Sequence, residues 1–201
     1  MLEITVAIPS IPQRRSKLRQ ALTSVAIQNY PAAAVSVAYD LKGEGSAATR
    51  NRALRAVQTP WVAFLDDDDT FLPHHLEILA NAAEETDADV IYGLPRVIGP
   101  TGQAVTRHWQ WGGPEEFDPD LLREHSYITV SSLVRTHFAK NAGFTFKDAG
   151  NGQSYDDHGF YLNLLDLGAK FHHIHQETFI WNHHGMNTSG KPTQGDAARR
   201  V

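Results

Sequence analysis

Trp61-Val62-Ala63-Phe64-Leu65-Asp66-Asp67-Asp68-Asp69, with Leu72-Pro73 close behind, is the stretch on which the fold turns. Five apolar residues after the breaker Thr59-Pro60 predict a short buried strand. The strand runs straight into four carboxylates. Pro73 then predicts a helix start, since proline suits a first helical turn, and Leu76, Leu79, Ala80 and Ala83 give that helix a core face. Outward from this unit the same alternation repeats. Ile4–Ile8 is a β-rich run stopped by Pro9-Ser10-Ile11-Pro12, and Arg15–Gln28 carries Leu18, Leu22, Val25 and Ala26 at helical spacing. Val35–Tyr39 predicts a second strand ending at Asp40. After Gly43 and Gly45, Ser46 opens an alanine-rich helix through about Val57, and Ala88–Tyr92 predicts a fourth strand. Strands alternating with helices of this length predict an α/β fold, Rossmann-like, with a mostly parallel sheet flanked by helices. Ligands of such sheets bind beyond the carboxyl ends of the strands. Pro9-Ser10, Asp40 and Asp66–Asp69 all fall there.

Beyond Tyr92 the pattern changes, predicting a smaller mixed region. Arg96-Val97-Ile98 and Ala104–Trp109 flank Gly99-Pro100-Thr101-Gly102 as a hairpin, Trp109–Pro119 reads as irregular loop, and Tyr127–Val134 as a strand. Asp156–Leu167 reads as a helix with a stop at Gly168. Two short strands near Phe171 and Phe179 precede the His183-His184-Gly185 turn, and 191–201 reads as a loose tail.

The chain has 201 residues, no cysteine, 41% hydrophobic content, and 18 Lys+Arg against 23 Asp+Glu, a formal charge of -5. That length suits one domain with one sizeable core. The negative charge argues against phosphate-backbone binding, which calls for a basic face. Absent cysteine excludes a disulfide framework, a thiolate zinc site and a cysteine nucleophile. No stretch reaches the roughly 18–20 apolar residues of a membrane span, and Met1-Leu2-Glu3-Ile4 lacks a charged signal region. The expectation is a cytoplasmic protein without a transmembrane segment.

Three groups of residues can carry chemistry. Residues i and i+2 at a strand end point the same way, so Asp66 and Asp68 can address one ligand while Asp67 points elsewhere. Hard carboxylate oxygens suit Mg²⁺ or Mn²⁺ beside a substrate diphosphate. The bland alternative is a solvated turn, with Asp69 or Thr70 capping the next helix. Asp156-Asp157 either complements a helix dipole or supplies a base to an acceptor hydroxyl. Among the eleven histidines, His172, His173 and His175 read as surface or hydrogen-bonded residues. His183 and His184 sit in a polar turn with Asn187, Thr188 and Ser189, and imidazole joins carboxylates around Mn²⁺ acceptably.

Taken in order, the segments resemble a known family. Val6-Ala7-Ile8-Pro9-Ser10 and Ala26-Ile27-Gln28-Asn29-Tyr30-Pro31 are similar to the opening of family 2 (GT-A fold) glycosyltransferases. Gly45-Ser46-Ala47-Ala48-Thr49-Arg50-Asn51-Arg52-Ala53 resembles their Gly-x-x-x-Ala-Arg-Asn-x-Ala segment, with Thr49 in place of Ala. Phe64–Asp69 with Leu72-Pro73 resembles their Phe-Leu-Asp-x-Asp-Asp-x-x-x-Pro signature. Asn141–Phe144, Asp156-Asp157 (where the family more often begins with Glu), Leu164–Gly168 and the closing His184–Ser189 follow in order. The resemblance covers about residues 3–190. It implies one GT-A domain over 1–190, with a nucleotide-binding half to about residue 93 and an acceptor and catalytic half over 94–190.

The activity implied is a metal-dependent, inverting transfer of a sugar from a nucleotide-sugar donor, UDP- or GDP-linked, to an acceptor hydroxyl. Carried over by position, Pro9 and Ser10 line the nucleotide pocket and Asp40 contacts the base. Arg50 and Asn51 lie near the ribose or diphosphate, and Asp66 and Asp67 belong to the nucleotide-sugar site. Asp68 and His184 hold Mn²⁺ or Mg²⁺, with His183 competing for the second place, and Asp157 is the general base. The acceptor is left open among glycan, protein and small molecule. Trp109, Trp111 and Tyr127 either stack on it or fill a second core. Other readings differ at specific residues. A sugar-phosphate nucleotidyltransferase expects a Gly-rich loop where Pro9–Arg15 stands, and a histidine metallohydrolase expects H-E-x-x-H, which is absent. A non-catalytic nucleotide-sugar or carbohydrate binding module on the same fold is the alternative from another class.

Overall fold

The computed structural model describes residues 1–105, 113–148 and 154–183. Strand β1 (Ile4–Ser10) leads through a 3₁₀ turn (Pro12–Arg14) into α1 (Arg15–Ala26). Then come β2 (Ala34–Tyr39), α2 (Ser46–Arg55), β3 (Trp61–Phe64), β4 (Thr70–Phe71), α3 (His75–Glu85) and β5 (Val90–Ile98). The second half adds α4 (Pro119–Glu124), β6 (Ser132–Arg135), α5 (Thr136–Ala142), a small β7–β8 pair (Lys147–Asp148, Ser154–Tyr155), α6 (Asp156–Asp166) and β9 (Phe171–Asn182).

Seven strands form one sheet in the order β2-β1-β3-β6-β5-β9-β4. The pairs β1–β2, β1–β3 and β5–β9 are parallel, while β3–β6, β5–β6 and β4–β9 are antiparallel. The α/β expectation holds, and the sheet is mixed. The parallel part is where strands and helices alternate in sequence. Two of the antiparallel pairs enter because the chain beyond β5 returns as β6 between β3 and β5, and the third because β4 adds to the edge beside β9.

Strand alternation sends neighbouring residues of β3 to opposite faces. Val62 and Phe64 pack with α2, α5 and α6 through Leu54, Ala139 and Phe160. Trp61, Ala63 and Leu65 pack with α1 and α3 through Leu18, Leu76 and Leu79. The result is a three-layer sandwich that fixes the carboxyl ends of β1, β2 and β3 along one edge.

Several segments differ from expectation for identifiable reasons. The fourth strand continues to Ile98 through Pro95, because β6 pairs only with Val90–Tyr92 and proline is tolerated where one side of a strand is not paired. The Gly99–Gly102 hairpin is present at its mouth: Gly99 N donates to Gln103 O and Val105 N to Val97 O. The two strands expected near Phe171 and Phe179 are one strand, with a polar middle carried by pairing to β5. Within it His173 is buried, stacks on Tyr92 at 4.5 Å and points Nδ1 at the carbonyls of Pro114 and Glu115. Of the expected 127–134 strand only Ser132–Val134 is paired, and the strand runs one residue further, to Arg135. Tyr127 is core, its hydroxyl donating to Asp118 O. Helices α4 and α5 were not expected, being short and carrying few periodic apolar residues. Trp109, Trp111 and the 191–201 tail lie outside the described residues.

Two motif segments have local structural reasons. The Gln28 amide donates to Leu72 O and accepts from Leu76 N, and Asn29 N donates to Pro73 O, so this segment holds the turn before α3. Pro73 stands one residue before the N-cap His74 rather than inside the first turn. Helix α6 is seated just as tightly: a Cβ on Gly159 would lie 1.7 Å from Thr145 O, whereas one on Gly168 meets open space at φ +79°. Gly159→Ala is therefore expected to cost about 3 kcal/mol or more by overpacking. Gly168→Ala is expected to cost only about 1 kcal/mol, for the left-handed backbone. Urea unfolding of both variants measures the difference, and equal losses would contradict this packing.

Candidate functional site

A cleft opens where β1, β2 and β3 end. It is lined by Pro9 and Ser10 at the end of β1, Ile11 beyond them, Arg14 of the 3₁₀ turn, Asp40 after β2, Gly45 before α2 and Ser46, Thr49 and Arg50 on it, Asp66–Asp68 after β3, and Trp181 of β9. Each strand end contributes because parallel neighbours finish on the same edge.

The aspartate run is a turn rather than a continued strand, with Asp69 N donating to Asp66 O at 3.2 Å. Side-chain alternation therefore does not govern it. Asp67 is buried and accepts from Ser10 Oγ at 2.7 Å and from Arg14 Nη1 at 3.0 Å. Asp68 pairs with Arg14 at 3.0 Å. Asp66 takes both oxygens to Arg50 Nη2, at 2.7 and 2.8 Å. Asp69 accepts from Asn182 N at 2.9 Å, and the Asn182 amide donates to Asp68 O at 2.8 Å, so the end of β9 clamps the turn. Neither Asp69 nor Thr70 caps α3, whose N-cap is His74, and Thr70 instead pairs with Ile180.

Arg50 joins two ends of the chain. Its Nη1 lies 2.5 Å from Asp156 Oδ2 on the first turn of α6, and both side chains are 9% exposed. Asp157 follows on the same turn, accepting at Oδ1 from His158 N. Asn51, the next residue of α2, turns to other work: its amide donates to Phe144 O at 2.9 Å and accepts from Phe144 N at 2.8 Å. Its side chain anchors α2 to the segment after α5 and does not line the cleft. Asp40 lines the cleft while accepting from the backbone N–H groups of Lys42, Glu44 and Gly45. It shapes the loop whose last residue, Gly45 at φ +92°, starts α2.

The electrostatics are uneven. Burial works against the charge of Asp40, but the loop N–H groups outweigh it and hold the carboxyl below its ordinary value. Burial pushes Asp66 up despite Arg50, and pushes Asp69 well up with Asp66 and Asp68 adding to it. Burial, with Asp156 adjacent, raises Asp157 to about 7 against the pull of Arg50. Carboxylate oxygens of Asp66, Asp68 and Asp69 come within 4.8 Å of one another. Hard oxygens gathered where positive charge is short fit a divalent cation of the Mg²⁺ or Mn²⁺ kind. His184 lies outside the described residues; the description ends at His183, whose N–H donates to Ile98 O and whose ring is 5.4 Å from that of Trp181.

Of the sequence-expected site, Pro9, Ser10, Asp40, Arg50, Asp66, Asp67 and Asp68 come together, with Asp157 one residue beyond Arg50's partner. Arg14 and Trp181 were not singled out. Arg14 offered one signal, a basic residue within one short turn of the first strand's end. Trp181 offered none beyond its nearness to the histidine pair.

Raised carboxylates fix the sign of a pH effect. Asp66, Asp69 and Asp157 ionise later in the folded chain than in the unfolded one, so the unfolded chain binds fewer protons above about pH 4. Their contribution to stability is thus lost as pH rises from about 4 through their folded ionisation. Asp69→Asn keeps an acceptor for Asn182 N and removes one such ionisation. Without divalent ions its melting temperature is expected to exceed the native one by a few °C at pH 8, with little difference at pH 4. A lower melting temperature at pH 8 would contradict this.

Comparison with known proteins agrees with the geometry. The fold is similar to that of the S. aureus TarS fragment 1–349, with a TM-score of 0.67, 16% identity, and coverage of 90% of this chain and 60% of that one. The same fragment in complex with UDP-GlcNAc gives 0.67, 15%, 92% and 61%, and a longer TarS structure gives 0.65, 17%, 90% and 37%. At these identities the likeness shows the fold, which is the GT-A arrangement expected, and the chain spans about 60% of the length of that fragment. No curated protein sequence matches it closely. Residues 34–147, more than half of the chain, match the model of glycosyl transferase family 2, and the chain belongs to that family.

Proposed function

We propose that the chain is a metal-dependent, inverting glycosyltransferase that moves a sugar from a UDP- or GDP-linked donor to an acceptor hydroxyl. It acts as one domain, with residues to about 93 serving the nucleotide and 94–190 the acceptor. The observation that carries this reading is the Asp66–Arg50–Asp156 chain of ion pairs. It sets the strand-end carboxylates beside a second, differently tuned carboxylate on α6.

Pro9, Ser10 and Asp40 border the nucleotide, and Asp66 and Asp67 shape the wall beneath the diphosphate. Arg50 faces the same cleft but is committed to Asp66 and Asp156, so its role toward the donor is to hold those groups in place. Asp68 and His184 would hold the cation, with Asp66 and Asp69 beside Asp68. A bound divalent ion supplies Lewis-acid stabilisation of the charge on the departing diphosphate. That leaving group needs no protonation, so a single base suffices, unlike the paired carboxyls of a glycoside hydrolase.

Asp157 is that base. Neighbouring carboxyls with different environments take different roles: Asp156 is spent on Arg50, while Asp157 stays protonatable near neutrality. Its anion removes the proton from the acceptor hydroxyl as the oxygen attacks the anomeric carbon from the face opposite the diphosphate. One displacement inverts that carbon. The acceptor is a glycan, a protein or a small molecule. Among the described residues no helix is long and apolar enough to cross a membrane.

Asp157→Asn tests the assignment. Turnover is expected to fall about 10²- to 10⁴-fold, the usual worth of a general base, while donor affinity by calorimetry changes less than about twofold. Native kcat/KM should rise with pH and level off above about 7, and an α-linked donor should give a β product by NMR. Native protein that binds the donor and transfers nothing would favour the binding module instead.

A further inference from the structure

Arg14 and Arg50 meet the aspartate turn in different ways. Arg50 is buried, forks to both oxygens of Asp66 through one nitrogen and reaches Asp156 through the other. Fork contacts of this kind fix geometry. Arg14 uses a single nitrogen, Nη1, to touch Asp67 Oδ1 and Asp68 Oδ2, each at 3.0 Å. Its side chain is 25% exposed, on a short 3₁₀ turn at the cleft's rim. Asp67 has Ser10 Oγ as a second partner at 2.7 Å. Asp68 is the carboxylate that also belongs to the oxygen cluster with Asp66 and Asp69.

We propose that Arg14 is an exchangeable counter-cation: it covers Asp68 until a divalent cation binds there, then keeps Asp67 and turns its released N–H groups to the donor's diphosphate. The inference rests on the metal-dependent reading above. Its physical basis is that a guanidinium and a divalent cation on the same carboxylate repel each other, while each attracts a phosphate placed between them. Cation binding without nucleotide must therefore displace Arg14 from Asp68. With nucleotide present, the displaced side chain regains a partner of opposite charge. The cation and the nucleotide diphosphate are thereby coupled through one residue, and each raises affinity for the other by the same factor.

Calorimetry of Mn²⁺ binding to native protein and Arg14→Gln, followed by titration of UDP and GDP at saturating Mn²⁺, tests this. The variant is expected to bind Mn²⁺ about 5- to 10-fold more tightly, because its competitor is gone, and the nucleotide about 10-fold more weakly. If native protein binds Mn²⁺ and Arg14→Gln binds it no more tightly, the exchange is overturned while the metal-dependent reading stands. If neither protein binds Mn²⁺, that reading fails and takes the exchange with it. Circular dichroism checks that the variant folds. Arg14→Met, which keeps the packed stem and removes the charge, carries the same two expectations should the glutamine variant misfold.

Discussion

The guanidinium of Arg50, shared between Asp66 and Asp156, is the contact on which the arrangement rests. It ties α2 to the start of α6 across 106 residues of sequence and holds the end of β3 to both. Burying three charges is costly, and removing one partner of such a group typically costs about 3–5 kcal/mol because the rest are left uncompensated. The chain commits other residues to holding Arg50 in place. Asn51 binds α2 to the backbone of Phe144, Gly45 lets α2 begin at the cleft, and Phe144 and Phe160 stack at 4.1 Å beneath them. The two halves of the chain already share one sheet, and this contact joins their carboxylates as well.

From that constraint follows the electrical character of the cleft. Two arginines meet Asp66, Asp67, Asp68 and Asp156, while Asp69 and Asp157 sit beside them with their ionisation held back. A site built this way is stable with its carboxyls partly protonated or with added positive charge. On the proposed reading, a cation with a diphosphate supplies the positive charge and an acceptor hydroxyl supplies the proton.

Much of the first half of the chain is legible in the sequence because local rules govern it. Apolar runs of strand length followed by helical periodicity fix β1, α1, β2, α2, β3 and α3, though not the two-residue β4, and parallel strands put their ends together, so the residue pattern alone groups Ser10, Asp40 and Asp66–Asp68. The second half is less legible. Strand β9 has a polar middle that only its pairing with β5 explains, and although Tyr127–Val134 reads as a strand, no local pattern places β6 between β3 and β5. The motif misplaces Asn51 because it records that an asparagine is needed and not whether it faces ligand or backbone. Arg14 escapes a sequence reading because its meaning depends on a contact with residues more than fifty positions away.

The proposed function requires this strand-end cleft to take a nucleoside diphosphate together with a divalent cation. Thermal unfolding of native protein with UDP, GDP and their sugars, with and without Mn²⁺, tests it most directly. A ligand at about 100 times its dissociation constant stabilises by about 2.7 kcal/mol, a shift of several °C for a chain of this size. Such a shift is expected for one nucleotide class, and its loss when Mn²⁺ is withheld. Well-folded protein that shifts with none of these ligands, with or without Mn²⁺, would contradict it.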